Sequence, residues 1–175
     1  DHKDGEWLIL QDAGSVATEV ADLMQAQGKR VRFATDPNAV DALIKSNEIQ
    51  SATGVVHLWG IDANENQPDT SLLASLNVVQ SLSNAGVSCK HWFVTKGAQA
   101  VVADEEVSPW QTRLWGFART LQVEHPDQLG GCIDLDPAAS GNNLGDLDLL
   151  TAEFARSGLD TEVAIRNGTR SVARL

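Results

Sequence analysis

Asp12, Gly14 and Ala17 fall where a phosphate-binding turn of the pattern G-x-G-x-x-G/A would carry its three small residues, between the apolar run Trp7–Gln11 and a helical stretch ending at Gly28. Such a turn needs its first glycine for the tight bend and its second so that the backbone can touch a pyrophosphate. Here a carboxylate replaces the first glycine. Asp12 is expected to cap the following helix by accepting backbone N–H groups, which fills the positive pocket that a phosphate would use and repels an incoming anion. Asp36 ends the second apolar run, at the distance where an acid would hold an adenine ribose. Gly14 and Asp36 together define an alternative nucleotide-binding reading. Because only one fingerprint glycine is present, the capping reading is preferred and no cofactor is assigned to this chain.

Other chemistries find fewer residues still. The chain contains no tyrosine, so it lacks the Tyr–Lys proton donor of short-chain reductases. It has no G-x-S-x-G elbow, no H-E-x-x-H helix and no Walker loop. His57, inside GVVHLWG, reads as a packed histidine with a backbone partner. His91 opens an apolar run and is expected to be half exposed. His125 lies between Glu124 and Pro126, where an imidazolium favours a helix C-terminus. No histidine pair has metal-ligand spacing, and no catalytic or metal-binding residue is assigned.

Charge narrows the partners. The chain carries 13 Lys plus Arg against 24 acids, a net charge of −11 over 175 residues. That argues against nucleic acid and against an anionic membrane surface. No apolar run approaches the ~20 residues of a membrane span, and no secretory leader opens the chain. Cys89 and Cys132 lie in apolar surroundings and read as buried free thiols, as expected in a reducing cytoplasm. The sequence begins at Asp1 without methionine, as a piece cut from a longer polypeptide would.

The elements that must position these residues alternate between apolar, β-rich runs and helical stripes. This predicts an α/β fold with a mostly parallel sheet and helices on both faces. Strands are expected at Trp7–Gln11, Arg30–Ala34, Gly54–Trp59, His91–Thr95, Gly131–Leu135, Glu162–Arg166 and Arg170–Arg174. Helical stripes run through Val16, Val20, Leu23 and Met24; through Leu72, Leu73, Leu76, Val79 and Leu82; and through Leu147, Leu150 and Phe154. Asp36-Pro37 reads as an N-cap and first-turn proline. A further helix is expected over Trp110–Glu124, stopped by Pro126. Asn167-Gly168 reads as a hairpin turn rather than a glycosylation acceptor. The loops DANENQPDTS and PAASGNNLGD both follow strands, where ligand sites of open α/β sheets lie. No internal repeat is visible, and residues 1–175 are expected to form one domain.

The Trp110–Glu124 helix carries unusual bulk. Trp110 and Trp115 flank Arg113, and Leu114, Phe117, Ala118 and Leu121 share the apolar side. Core packing is the plain reading; an interface with another domain is its rival, since Trp and Arg are enriched in such contacts. Trp110, Arg113, Trp115, Arg119, Glu124 and His125 are the interface candidates, together with the strand ends near Trp59 and Asp136. Arg119, Glu124 and Arg166 are expected to form an ionic cluster.

Four stretches, GVVHLWGID (Gly54–Asp62), WFVTKGAQAV (Trp92–Val101), LWGFARTLQVEHPDQLGGCIDLDP (Leu114–Pro137) and EVAIRNGTRSVARL (Glu162–Leu175), resemble the ketoreductase domains of modular polyketide synthases in order and spacing. The likeness is to their amino-terminal structural subdomain and spans nearly the whole chain. W-G-x-x-R followed by E-H-P and G-G-x-x-D-L-D-P is its most specific part. The resemblance implies a truncated Rossmann-like scaffold, similar to short-chain dehydrogenases, that has lost cofactor binding. It also implies a partner: a catalytic half that binds NADPH, carries the Ser, Tyr and Lys catalysts, and reduces a carrier-bound β-ketoacyl group, with neighbouring synthase domains around it. None of the catalytic positions of that half exists in this sequence. An acidic module for carrier proteins was weighed and set aside, because carriers are themselves acidic.

Overall fold

The computed structural model describes residues 5–138, 144–156 and 160–173. Seven strands form one sheet in the order β2-β1-β3-β4-β5-β6-β7: β1 Glu6–Leu10, β2 Arg30–Ala34, β3 Ala52–His57, β4 Lys90–Lys96, β5 Leu129–Leu135, β6 Glu162–Arg166 and β7 Thr169–Val172. The first six pair in parallel and only β7 runs antiparallel, against β6. Parallel strands covered on both faces need no polar alternation, and all five residues of β1 are buried. The edge strand β2 instead carries Arg30 and Arg32, which blunt an open edge. Arg32 is held by Glu6 at 2.7 Å and Glu48 at 2.5 Å.

Five helices cover the sheet: α1 Val16–Ala26, α2 Pro37–Lys45, α3 Thr70–Asn84, α4 Pro109–Glu124 and α5 Leu144–Glu153. On one face α1 and α5 pack Val20, Met24, Leu147, Leu150 and Phe154 against the strands. On the other, α2, α3 and α4 pack Val40, Val78, Leu82, Leu114 and Trp115. Burying each such aliphatic side chain contributes about 1.5–3 kcal/mol relative to exposure. Trp92 fits between strands because Gly54 and Gly130 leave room for its ring; a Cβ at either would stand 2.4 Å or less from it.

The predicted elements are all present, with ends shifted by one to two residues. The predicted final strand reaches Arg174, which lies outside the described residues. At the β6–β7 turn, Asn167 and Gly168 have φ of 49° and 72°, the paired positive values that a tight hairpin requires. One stripe is corrected. Leu73 is 55% exposed, and the inward face of α3 is Ser71, Ser75, Val78, Val79 and Leu82. The leucines drew attention by hydrophobicity, whereas two serines hold the inward positions.

Candidate functional site

Asp12 follows β1 directly and is 5% exposed. Its carboxylate accepts hydrogen bonds from the backbone N–H groups of Gly14 (3.0 Å), Val16 (3.3 Å) and Ala17 (2.8 Å). The donors that would grip a phosphate are therefore already bound. A second acid closes the turn from outside: Ala13 donates to Asp62 Oδ2 at 2.8 Å. Burial raises the Asp62 carboxyl above its ordinary range, an effect opposed by the Ala13 N–H and reinforced by the nearby Asp12 charge. Asp36 is likewise occupied, capping α2 by accepting from Ala39 N at 3.0 Å. A cavity of about 230 Å³ opens beside Asp36 and Asp62 at the strand ends. Three carboxylates surround this region and no glycine-lined cradle does, so the residues do not fit a pyrophosphate.

The histidines meet where the sequence left them apart. His57 Nε2 and His91 Nδ1 lie 2.9 Å from each other, and His57 Nδ1 lies 3.1 Å from Ser75 Oγ. The partner of His57 is thus a pair of side chains, not the backbone. His91 is 2% exposed, which corrects the half-exposed expectation. Both rings point to the α3 face from neighbouring strands. Burial drives the His57 pKa well below its usual value, with further lowering from His91. Burial also lowers His91, to about 4. Burial raises the Cys89 thiol to about 11 and pushes Cys132 higher still, so neither is a ready thiolate. Among the described residues no group of three metal-ligating side chains is assembled.

The candidate interface residues divide. Trp115 retains 2% of its surface and donates from Nε1 to Thr95 Oγ1 at 3.0 Å. It is a core residue, and its reading as a docking anchor is corrected: the chain itself already encloses the ring. Trp59 at 8% and Asp136 at 5% are also enclosed. Trp110 is half-buried, with the Arg113 guanidinium 5.2 Å above its ring. Arg113 is exposed and pairs with Asp69. Arg119, Glu124 and His125 are exposed, and His125 forms the C-cap of α4.

The expected Arg119–Glu124–Arg166 cluster does not form. Arg119 holds Glu162 through two bonds of 2.6 and 2.9 Å. Arg166 instead centres a network at the carboxyl ends of β4, β5 and β6. It donates to Asp134 Oδ2 (2.7 Å), Glu105 Oε1 (2.8 Å) and the carbonyl of Gln99 (2.9 Å). Asp134, fully buried, also accepts from Thr95 Oγ1 at 2.6 Å and Ala98 N at 2.7 Å. Glu105 accepts from Val101 N at 2.7 Å, the largest of the effects that hold its carboxyl below the ordinary range. Sequence reasoning missed Asp134 and Glu105. The available signal was a lone acid in the apolar run GGCIDL; the partner at position 166 had none.

A parallel sheet covered on both faces, with its phosphate turn closed by Asp12, defines a Rossmann-like domain of the short-chain dehydrogenase type that is related to ketoreductases. The family described as "Polyketide synthase extender module SpnB, Rossmann fold domain" matches residues 6–175, and the chain belongs to it. The polyketide synthase GfsA of Streptomyces halstedii is 33% identical over 163 residues, covering 90% of this chain and 2% of that protein. The erythronolide synthase EryA2 of Saccharopolyspora erythraea is 30% identical over 175 residues, covering 94% and 5%. The chain thus spans a small fraction of these relatives. Among solved structures, the first ketoreductase of the tylosin polyketide synthase superposes with TM-score 0.76 at 27% identity, covering 95% of this chain and 37% of that one. A C2-type ketoreductase from a modular polyketide synthase gives 0.74 at 26%, covering 95% and 38%. No helix among the described residues is long and apolar enough to cross a membrane.

Proposed function

We propose that this chain is a non-catalytic scaffold, a single Rossmann-like structural subdomain over residues 1–175 that packs against and stabilises the catalytic half of a polyketide ketoreductase. That half binds NADPH and reduces a carrier-bound β-ketoacyl intermediate; this chain binds no cofactor and catalyses nothing alone. Neighbouring synthase domains are its other partners, and its compartment is the reducing cytoplasm, in keeping with two buried free thiols.

The observation that carries the reading is the Asp12 carboxylate, which bonds three of the N–H groups that would otherwise meet a phosphate. The tyrosine-free sequence supports it, because a carbonyl reduction of this type needs a proton donor that the chain lacks. The chain's own residues contribute a fixed sheet and a helix layer against which a second half can order. The test is co-expression of the tagged chain with the remaining part of a ketoreductase polypeptide. A one-to-one complex that survives purification is expected; a chain recovered alone, beside a soluble and active remainder, overturns the proposal.

A further inference from the structure

On the α4 face the sheet extends further than the helices that cover it. Among the described residues α2, α3 and α4 pack over this face from β2 to β5, and no helix packs on it over β6 and β7. Register puts Glu162 and Ala164 of β6 on this side, with Ser171 opposite Ala164 and Ala173 bonded back to Glu162. The floor is therefore low, and Arg119 pins its one long side chain, Glu162. A cavity of about 270 Å³ lies above it, walled by Trp115 on one side and Gln99–Val101 on the other.

The wall on the loop side is built with care. Arg166, Asp134 and Glu105 fix the backbone from Ala98 to Val102 by the bonds described above, including Val102 N to Glu105 Oε2 at 3.4 Å. The side chains so displayed are apolar: Val101, Val102 and Val107 are 36%, 66% and 41% exposed. Holding three valines in water with a largely buried ionic network is unfavourable unless something covers them. Asp104 and Glu106, both exposed, give the rim an acidic charge.

We propose that this shelf over β6–β7 seats a helix, apolar on one face and basic along its flank, supplied by the part of the ketoreductase polypeptide that lies beyond this chain. The proposal rests on the scaffold reading and adds the surface through which it acts. A helix is the fitting occupant because the shelf continues the α2–α3–α4 layer, and short floor side chains admit close approach. The source follows from size: the fold matched here is 37–38% of the solved ketoreductase chains, so most of each lies outside it. The acidic rim selects the flank by charge complementarity.

Hydrogen–deuterium exchange on the 175-residue chain and on the intact ketoreductase polypeptide tests this. Amides of Gln99–Val102 and Ser171–Ala173 are expected to slow at least ten-fold in the intact polypeptide. Val102→Asp, at a side chain two-thirds exposed, should return them at least five-fold towards the rate in the isolated chain, whereas Val123→Asp on the outer face of α4 should not. Protection elsewhere, with none at the shelf, overturns the shelf and leaves the scaffold reading standing. No protection anywhere removes both. Protection that appears in the isolated chain as its concentration rises assigns the shelf to a second copy and overturns the proposal.

Discussion

Asp12 does at one position what a bound cofactor does in a working dinucleotide site: it satisfies the first free N–H groups of α1 and puts negative charge against the positive end of that helix. The consequence for stability is local and measurable. Asp12→Ala leaves the N–H groups of Val16 and Ala17, both buried, without an acceptor. It should lower unfolding free energy by about 1–2 kcal/mol, read as a lower urea midpoint at unchanged slope; an unchanged midpoint would mean that water replaces the cap at no cost. This residue was legible from the chain alone, because a carboxylate one turn ahead of an amphipathic helix has a specific local job. Asp134 was not. Its partners Thr95, Ala98 and Arg166 lie 39, 36 and 32 positions away, and no spacing rule connects them before the strands are laid side by side.

Elements were easier to read than the contacts between them. β1, β4 and β5 announce themselves as unbroken apolar runs, and Pro37, Pro126 and Asn167-Gly168 punctuate the chain where the backbone needs them. What the pattern did not carry was which face of a helix turns inward when the inward residues are polar. Ser75 on α3 looks like a solvent position, yet it lies at 0% exposure against His57. The bridge Ser75–His57–His91 ties α3 to β3 and β4, and it makes that junction acid-sensitive. Both histidines are held neutral by burial, with folded pKa values below their unfolded value of ~6.5. The unfolded chain therefore takes up protons first, so this contribution to stability is complete above pH ~6.5 and is lost as pH falls towards about 4, the value for His91. Thermal melts should show a falling midpoint over that window, and His91→Gln should flatten the fall even if it lowers stability at neutral pH. A wild-type midpoint that stays constant between pH 6.5 and 4.5 would contradict the buried, neutral pair.

At the scale of the whole molecule the chain is a Rossmann-like frame whose nucleotide turn is closed, belonging to a polyketide synthase family and covering under two-fifths of the solved ketoreductases it resembles. The family resemblance and the α/β class followed from sequence motifs. The docking surface did not, because bulk on α4 suggested Trp115 as an exposed anchor, when its ring fills the core above β4 and β5. The exposed valines of the Gly97–Ser108 loop are short-range noise in a hydrophobicity pattern and become a surface only beside β6 and β7. The central claim is that the fold was kept and its cofactor site was not. Calorimetric titration of NADPH into the intact ketoreductase polypeptide, with the 175-residue chain titrated alongside, tests it most directly. The account predicts one equivalent bound by the intact polypeptide and no saturable binding by the chain; a second equivalent, or micromolar binding by the chain alone, would contradict it.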